Sequence, residues 1–349
     1  MQRIQAVLDE RELDALLVTD LVNVRWLTGF PSSNALVVAT RERAVLVTDF
    51  RYAAGARRVV SDADVLEGKR DLVDDAVTLL PAGRVGFEDQ VMTVAARERW
   101  AAAAPGRELV GVGSALERLR AVKSSTEIAS IQAAVALADD ALRAVLERGL
   151  AGKREREVAA LLQYEARVRG AQHDAFSPIV ASGDRSDSPH SSPTDAEIPR
   201  DTFVLIDFGV ELDGFCSDGT RTYATGEVSG EMREVYELVR TAQAAGLEGV
   251  RAGVTGREAD AAARSIIESA GHGEHFGHGL GHGVGMKIHE DPRLTQRSEH
   301  VLERGNVVSV EPGVYLEGRF GVRIEDLVAV TDDGHVNLSS LPKELTVVD

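Results

Sequence analysis

Between Phe276 and Pro292 the chain reads FGHGLGHGVGMKIHEDP, with glycine at every second position from Gly277 to Gly285 and with His278, His282 and His289 spread along it. Alternating glycines are poor helix material, because each adds backbone entropy that folding must overcome. They suit a loop, or a strand that another chain or a ligand approaches closely. Three imidazoles on such a support point to a metal or catalytic centre, although a glycine-rich turn with solvated histidines has the same composition. Spacing excludes two familiar motifs. His289-Glu290 runs into Asp291-Pro292, and the proline forbids the helix on which an HExxH zinc site depends. No register of G-x-G-x-x-G fits glycines that all fall on odd positions. Met286–Glu290 is expected as a short strand, with Pro292 ending regular pairing.

Carboxylates suited to such a centre lie in two other stretches. Phe203–Tyr223, FVLIDFGVELDGFCSDGTRTY, reads as a hairpin around Glu211–Gly214. A turn centred on Leu212–Asp213 sets Asp207 directly opposite Asp218. An Asp213-Gly214 turn shifts the register by two and still leaves both on one face. Two like charges in an apolar hairpin repel, so one must take up a proton unless a cation lies between them. The pattern recurs in Asn306–Val330, where a turn near Gly318 sets Glu311 opposite Glu325, with Arg323 on the same face as Glu325. Arg323 is then placed to orient a ligating carboxylate. Four carboxylates and one imidazole suit two metals about 3.5–4 Å apart. An oxygen-rich donor set without cysteine favours Mn²⁺ or a similar first-row ion over structural zinc.

The rest of the chain must position these groups. Its 349 residues suggest two domains, and 44% apolar content is ordinary for a globular protein. An excess of 56 acidic over 39 basic side chains, net −17, argues against a nucleic-acid or anionic-membrane partner. No stretch has the length of a membrane span or the pattern of a secretory signal. A single cysteine, Cys216, excludes an internal disulfide framework and makes a reducing cytoplasm the expected location. Residues 1–120 read as an α/β domain: a helix with Ile4, Val7, Leu8 and Leu13, a strand Ala15–Thr19, and a hairpin of Asn34–Ala39 with Ala44–Thr48. Further helices and strands then alternate to Val112. NVRWLTGF, Asn23–Phe30, is the segment of this half that most resembles a site, with Trp26 and Phe30 read as core or interface aromatics and Arg25 as a surface charge. Residues 121–349 form the second domain. Its first long helix starts near Ser125-Thr126-Glu127, and Glu155–Arg169 is a second helix, ended by Gly170. Beyond Asp174, a Ser/Pro/Asp-rich stretch leads to His190 in a proline-flanked loop.

Together, DFG…SDGTRTY, GHGLGHGVGMKIHE, EPGVY and GVRIED resemble the pita-bread metallopeptidases: methionine aminopeptidase, aminopeptidase P and prolidase. The resemblance covers nearly the whole chain and is closest to prolidase and to short bacterial aminopeptidase P-like proteins. It implies an α+β fold, with a C-terminal pita-bread domain behind a smaller creatinase-type α/β domain. Methionine aminopeptidase normally lacks a domain like residues 1–120.

The resemblance implies Asp207, Asp218, His282, Glu311 and Glu325 as ligands of two divalent ions, Mn²⁺ foremost with Co²⁺ or Zn²⁺ as alternatives. His282, seven residues before His289, takes the ligand position of the family pattern. His190 matches the family's active-site histidine, although Ser191 follows it here where a tyrosine is usual. A hydroxide bridging the metals is implied as the nucleophile, with Glu311 as proton carrier and with His190 and His289 stabilising the transition state. Phe176, His278 and Arg323 are implied to line the proline pocket or its rim. The expected activity is hydrolysis of Xaa-Pro dipeptides. The alternative is an aminopeptidase P acting on longer Xaa-Pro peptides, and a non-catalytic peptide binder on the same fold is disfavoured by the complete ligand set. A homodimer is expected, with the N-terminal domain reaching over the partner's pocket.

Overall fold

The computed structural model describes residues 2–349, with side chains from Ile4 onward. The chain divides into two compact units, Met1–Arg120 and Ala121–Asp349.

The first unit is built on a six-stranded sheet. In spatial order its strands are Asp64–Gly68, Ala44–Asp49, Ala35–Thr40, Ala15–Val18, Gly83–Phe87 and Arg107–Gly111. The middle three strands pair antiparallel, and the outer pairings are parallel. The run ALLV at Ala15–Val18 is buried at every position because both sheet faces are covered. Leu16 and Val18 join one apolar cluster with Ile4, Leu8 and Ala56, whereas Ala15 and Leu17 join another with Val45, Val47 and Trp100. The segment around Asn23 is a helix, Leu21–Thr28, capped by the Asp20 carboxylate accepting from the Val22 N–H. Phe30 is in the core, and Arg25 is half-buried rather than a surface charge. Fully buried Asn23 donates to Glu88 at 2.6 Å and accepts from the Arg120 guanidinium. What stood out here in the sequence is a buried polar network that the fold itself requires.

In the second unit the helix Ser125–Leu146 starts where its sequence suggests. Ser124 caps it, in a reciprocal pair with Glu127. This helix and Glu155–Val168 pack on one side of the strand Thr202–Asp207, touching Val204 and Ile206. Phe203, on the strand's other face, joins the cluster built around the helices Gly230–Gly249 and Gly256–Ser269. The period-2 alternation of the strand puts Asp207 on the same face as Phe203 and Leu205, away from the first helix pair.

Thr202–Asp207 pairs antiparallel with Thr220–Thr225, so that Asp207 faces Thr220 and Leu212 faces Phe215. The turn is therefore Asp213-Gly214, with both residues at positive φ. Asp207 and Asp218 are not directly opposite; they are displaced by two residues and share a face. Around Gly318 the sequence-derived register is the one observed. Val310 pairs with Asp326 and Gly313 with Arg323, which sets Glu311 opposite Glu325.

The glycine run forms the short strand Gly281–Gly283, between Glu290–Leu294 and Val307–Val310. Two expectations are corrected here. Met286–His289 is an irregular loop, because a bulge between His282 and Gly283 lets pairing resume only at Glu290. Pro292 does not end the pairing: it lies inside the strand Glu290–Leu294, in the bulge, where its missing N–H costs no ladder bond.

Candidate metal centre

Backbone approach explains the glycines. A Cβ on Gly281 would lie 2.0 Å from the Ser309 carbonyl oxygen, and one on Gly283 would lie 2.3 Å from that of Asp291. Neither has positive φ, so strand contact rather than a special backbone conformation selects glycine. Gly281→Ala is therefore expected to destabilise the protein by about 1–3 kcal/mol or more, since backbone cannot yield as a side-chain tip does. Gly277→Ala meets nothing within 4 Å and should stay within about 0.5 kcal/mol of wild type. Urea unfolding of both variants checks this, and equal midpoints would refute it.

His282, held on this strand, faces two of the carboxylates. Its Nε2 lies 3.6 Å from Asp218 Oδ2 and 3.3 Å from Glu311 Oε1. Its Nδ1 is 3.1 Å from the Gly283 carbonyl, an acceptor only, so Nδ1 carries a proton and Nε2 is the nitrogen turned towards the two carboxylates. Asp207, Asp218 and Glu325 form an adjoining group whose carboxylate oxygens lie within 4.8 Å of one another. All three are buried, and Asp218 belongs to both groupings.

The surroundings hold these groups rigidly. Arg323 donates from Nη2 to Asp207 Oδ2 (2.6 Å), from Nε to Thr220 Oγ1 (2.9 Å) and from Nη1 to Tyr315 Oη (2.8 Å). Thr220 Oγ1 donates to Glu325 Oε2 at 2.7 Å, and Ser309 Oγ donates to Glu311 Oε1 at 2.9 Å. Thr220, Ser309 and Tyr315 went unmarked in the sequence. Tyr315 closes the EPGVY motif, and Thr220 and Ser309 lie in the two hairpins, but nothing in residue type distinguishes them from ordinary strand residues. Arg323 lines the cavity, yet its donors are spent on the groups that hold the centre.

Electrostatics set the acids apart. Burial first, and then neighbouring carboxylates, push Asp218 and Glu325 well above the usual carboxylate range. Asp207 is raised too by burial, which the Arg323 charge only partly offsets. Glu311 is only partly buried, and hydrogen bonding and charge from His282, with the Arg323 charge adding to them, outweigh its burial penalty and hold it at about 2. Asp207 Oδ1 and Glu325 Oε1 are buried without a hydrogen-bond partner among the described residues. Orphaned buried carboxylate oxygens are costly, and a divalent cation among these acids would satisfy both and cancel the repulsion. The donor set thus fits a metal. Among the described residues one other acidic group could be considered, Asp20, Glu88 and Glu117 in the first unit, but Asn23 and backbone N–H groups already occupy Glu88.

These groups form one wall of a cavity of about 440 Å³. Phe176, His190, His278 and His289 also line it, so the residues that the resemblance implied for the site all line one cavity. His289 is exposed, with its ring centroid 4.4 Å from that of His282. His278 donates from Nδ1 to the Gly279 carbonyl and accepts at Nε2 from Tyr315, which leaves its ring face for contact with a ligand. Burial lowers its pKa and keeps it neutral. Arg293 and Thr295, which no motif marked, also line the cavity. Arg293 is exposed, and no carboxylate among the described residues pairs with it. It pairs across the strands with His282, next to the bulge, a placement that local pattern does not reveal.

Residues 129–332 match the metallopeptidase family M24, and residues 1–122 match the creatinase/prolidase N-terminal domain. The chain belongs to metallopeptidase family M24. Over its full length it is 39% identical to the uncharacterized peptidase YqhT of Bacillus subtilis, with 100% of this chain and 99% of that protein covered. Among solved structures it is similar to an Xaa-Pro dipeptidase from Bacillus anthracis, with a TM-score of 0.96, 38% identity and coverage of 99% and 98% of the two chains. It is also similar to an X-Pro aminopeptidase from Thermotoga maritima, with a TM-score of 0.92, 35% identity and coverage of 97% and 99%. The two-domain pita-bread architecture expected from the motifs is therefore the fold of this chain, and the chain is a metallopeptidase.

Proposed function

We propose that this protein is a dinuclear-metal Xaa-Pro dipeptidase. One observation carries the reading: four carboxylates and one imidazole converge on a cavity wall, with two buried carboxylate oxygens left unpartnered. Asp207, Asp218, His282, Glu311 and Glu325 would hold the ions. The oxygen-rich, thiolate-free donor set suits Mn²⁺, with Co²⁺ or Zn²⁺ as alternatives. When bound, such ions polarise the scissile carbonyl and acidify the attacking water.

The protein's own groups then move the proton. Glu311, 16% exposed, is more open to the cavity than Asp207 or Asp218 and stays ionised, so it can accept the water's proton. As the water oxygen bonds to the carbonyl carbon and the C–N bond breaks, Glu311 returns that proton to the leaving prolyl nitrogen. His190 and His289 stand at the cavity edge to stabilise the developing oxyanion or the leaving group. Phe176 and the face of His278 offer an apolar seat for the proline ring. Arg293, a cation in the lining with no ion-pair partner among the described residues, suits the carboxylate of a dipeptide.

An aminopeptidase P that leaves this side open is the second reading, supported by the likeness to the Thermotoga maritima enzyme. Hydrolysis of Ala-Pro and Ala-Pro-Ala, with Mn²⁺ and after chelation, separates the two. Fast release of proline from the dipeptide alone supports the first reading, and preference for the tripeptide supports the second. Absence of metal-dependent cleavage of both would return the protein to a binding role. Arg293→Ala is expected to raise KM for Ala-Pro by roughly 10- to 100-fold, the worth of a charged hydrogen bond. Ala-Pro-Ala should change less, and an equal effect on both peptides would refute the assignment. We also propose a homodimer whose first unit reaches the partner's cavity; a protomer mass in light scattering would exclude it.

A further inference from the structure

We propose that the buried ion pair Lys123–Glu290 is a positioning device for His289. The inference rests on the peptidase reading above. Lys123 Nζ donates to Glu290 Oε2 at 2.9 Å, and the two side chains are 2% and 4% exposed. Such a pair costs several kcal/mol in lost hydration per ion, so it is weak evidence for stability and is better read as fixing one conformation. What it fixes is local. Glu290 Oε1 accepts the Lys287 backbone N–H at 2.9 Å, so one carboxylate ties Lys123 to the loop that ends in His289.

Gly285 N–H donating to Lys287 O at 3.1 Å and the packing of Ile288 on an apolar cluster also help to hold this loop, but neither contact is made by His289. Residues 284–289 lie outside regular strand, and pairing resumes only at Glu290, beyond the bulge. Its first residues are held by Val284 N–H donating to Val307 O (2.9 Å) and Cys216 N–H donating to Gly285 O (2.8 Å). The His289 side chain makes no hydrogen bond among the described residues, so its ring is placed by its backbone and by the edge contact with His282. Gly285 is shaped to the pair: a Cβ there would lie 2.6 Å from Glu290 Oε2 and 2.9 Å from Lys123 Cε. Lys123 is itself anchored, its N–H donating to Gly305 O at 2.9 Å, just ahead of the helix Ser125–Leu146. A fixed point on the helical framework thereby sets the residue adjoining His289.

The test measures kcat, KM and bound Mn²⁺ on Ala-Pro for Lys123→Met, Glu290→Gln and Lys123→Arg, each also in a His289→Ala background. Glu290→Gln keeps the size and the Lys287 contact, so it serves where Lys123→Met folds poorly. Either variant is expected to lower kcat about 10-fold with KM and metal content within about twofold, and Lys123→Arg should restore most of the loss. In the His289→Ala background the same substitutions should change kcat less than about twofold, because they act through a ring already removed. Wild-type kcat in both pair variants, or a full additional loss without His289, would overturn the proposal. A wild-type protein that cleaves neither peptide with Mn²⁺ would overturn the peptidase reading itself, and this inference with it.

Discussion

Glu325→Gln is expected to remove metal and activity together, lowering kcat/KM by about 10³-fold or more, as loss of several kcal/mol of electrostatic stabilisation requires. Glu325 is 2% exposed, its Oε2 is taken by Thr220, and its Oε1 has no protein partner. A neutral amide keeps the volume and the Thr220 contact while deleting the charge a cation needs. Metal content by elemental analysis, beside proline release, checks the outcome; a metal-loaded, fully active variant would sink the ligand assignment. The same substitution has a second signature in chelated protein. Burial and neighbouring acids raise Asp218 and Glu325, so the metal-free fold holds protons that the unfolded chain has released. Their contribution to stability is then complete below the ordinary carboxylate range and is lost as pH rises through the raised values. Chelated wild type should melt at higher temperature as pH falls from neutral towards about 5, where the unfolded carboxylates remain ionised. Glu325→Gln should flatten that slope, and a steeper one would contradict it.

Arg221→Met is expected to cost about 3–5 kcal/mol of stability, the range for stranding one partner of a buried pair. The guanidinium is 2% exposed and sits 2.6 Å from Asp326 Oδ1, itself 1% exposed. It also donates to the carbonyls of Thr220 (2.9 Å), Leu341 (2.9 Å) and Pro342 (3.0 Å) and to that of Glu325. Asp326 further accepts from Lys343 Nζ and Asn337 Nδ2, each at 2.8 Å. Burial alone would raise the Asp326 pKa, but these cations outweigh it and lower the value, so the carboxylate is ionised and must be paired. Lys343 is 29% exposed, so Lys343→Met should cost only about 1 kcal/mol. Chemical unfolding followed in the second unit ranks the two, and Lys343→Met as the more damaging change would refute the account. Because Arg221 and Asp326 adjoin Thr220 and Glu325 in sequence, the loss should also loosen metal binding.

Much of the site was determined by the sequence alone. Period-2 strands around Gly318 put Glu311 opposite Glu325, and either turn available to the first hairpin kept Asp207 and Asp218 on one face. These are local facts, since a strand's alternation and its turn settle which side chains share a side. The same logic went wrong where locality ended. The bulge that admits Pro292 depended on how the glycine strand meets Asp291, whereas the observed Asp213-Gly214 turn was one of the two that the first hairpin's sequence allowed. Tertiary structure alone decided that Thr220 bridges Arg323 and Glu325, that Tyr315 joins Arg323 to His278, and that Lys123 reaches Glu290 across 167 positions. Residue type does not announce such partners, because a threonine, tyrosine or lysine serves equally on a surface. Only packing takes them out of water, and once buried each must find the one group that satisfies it.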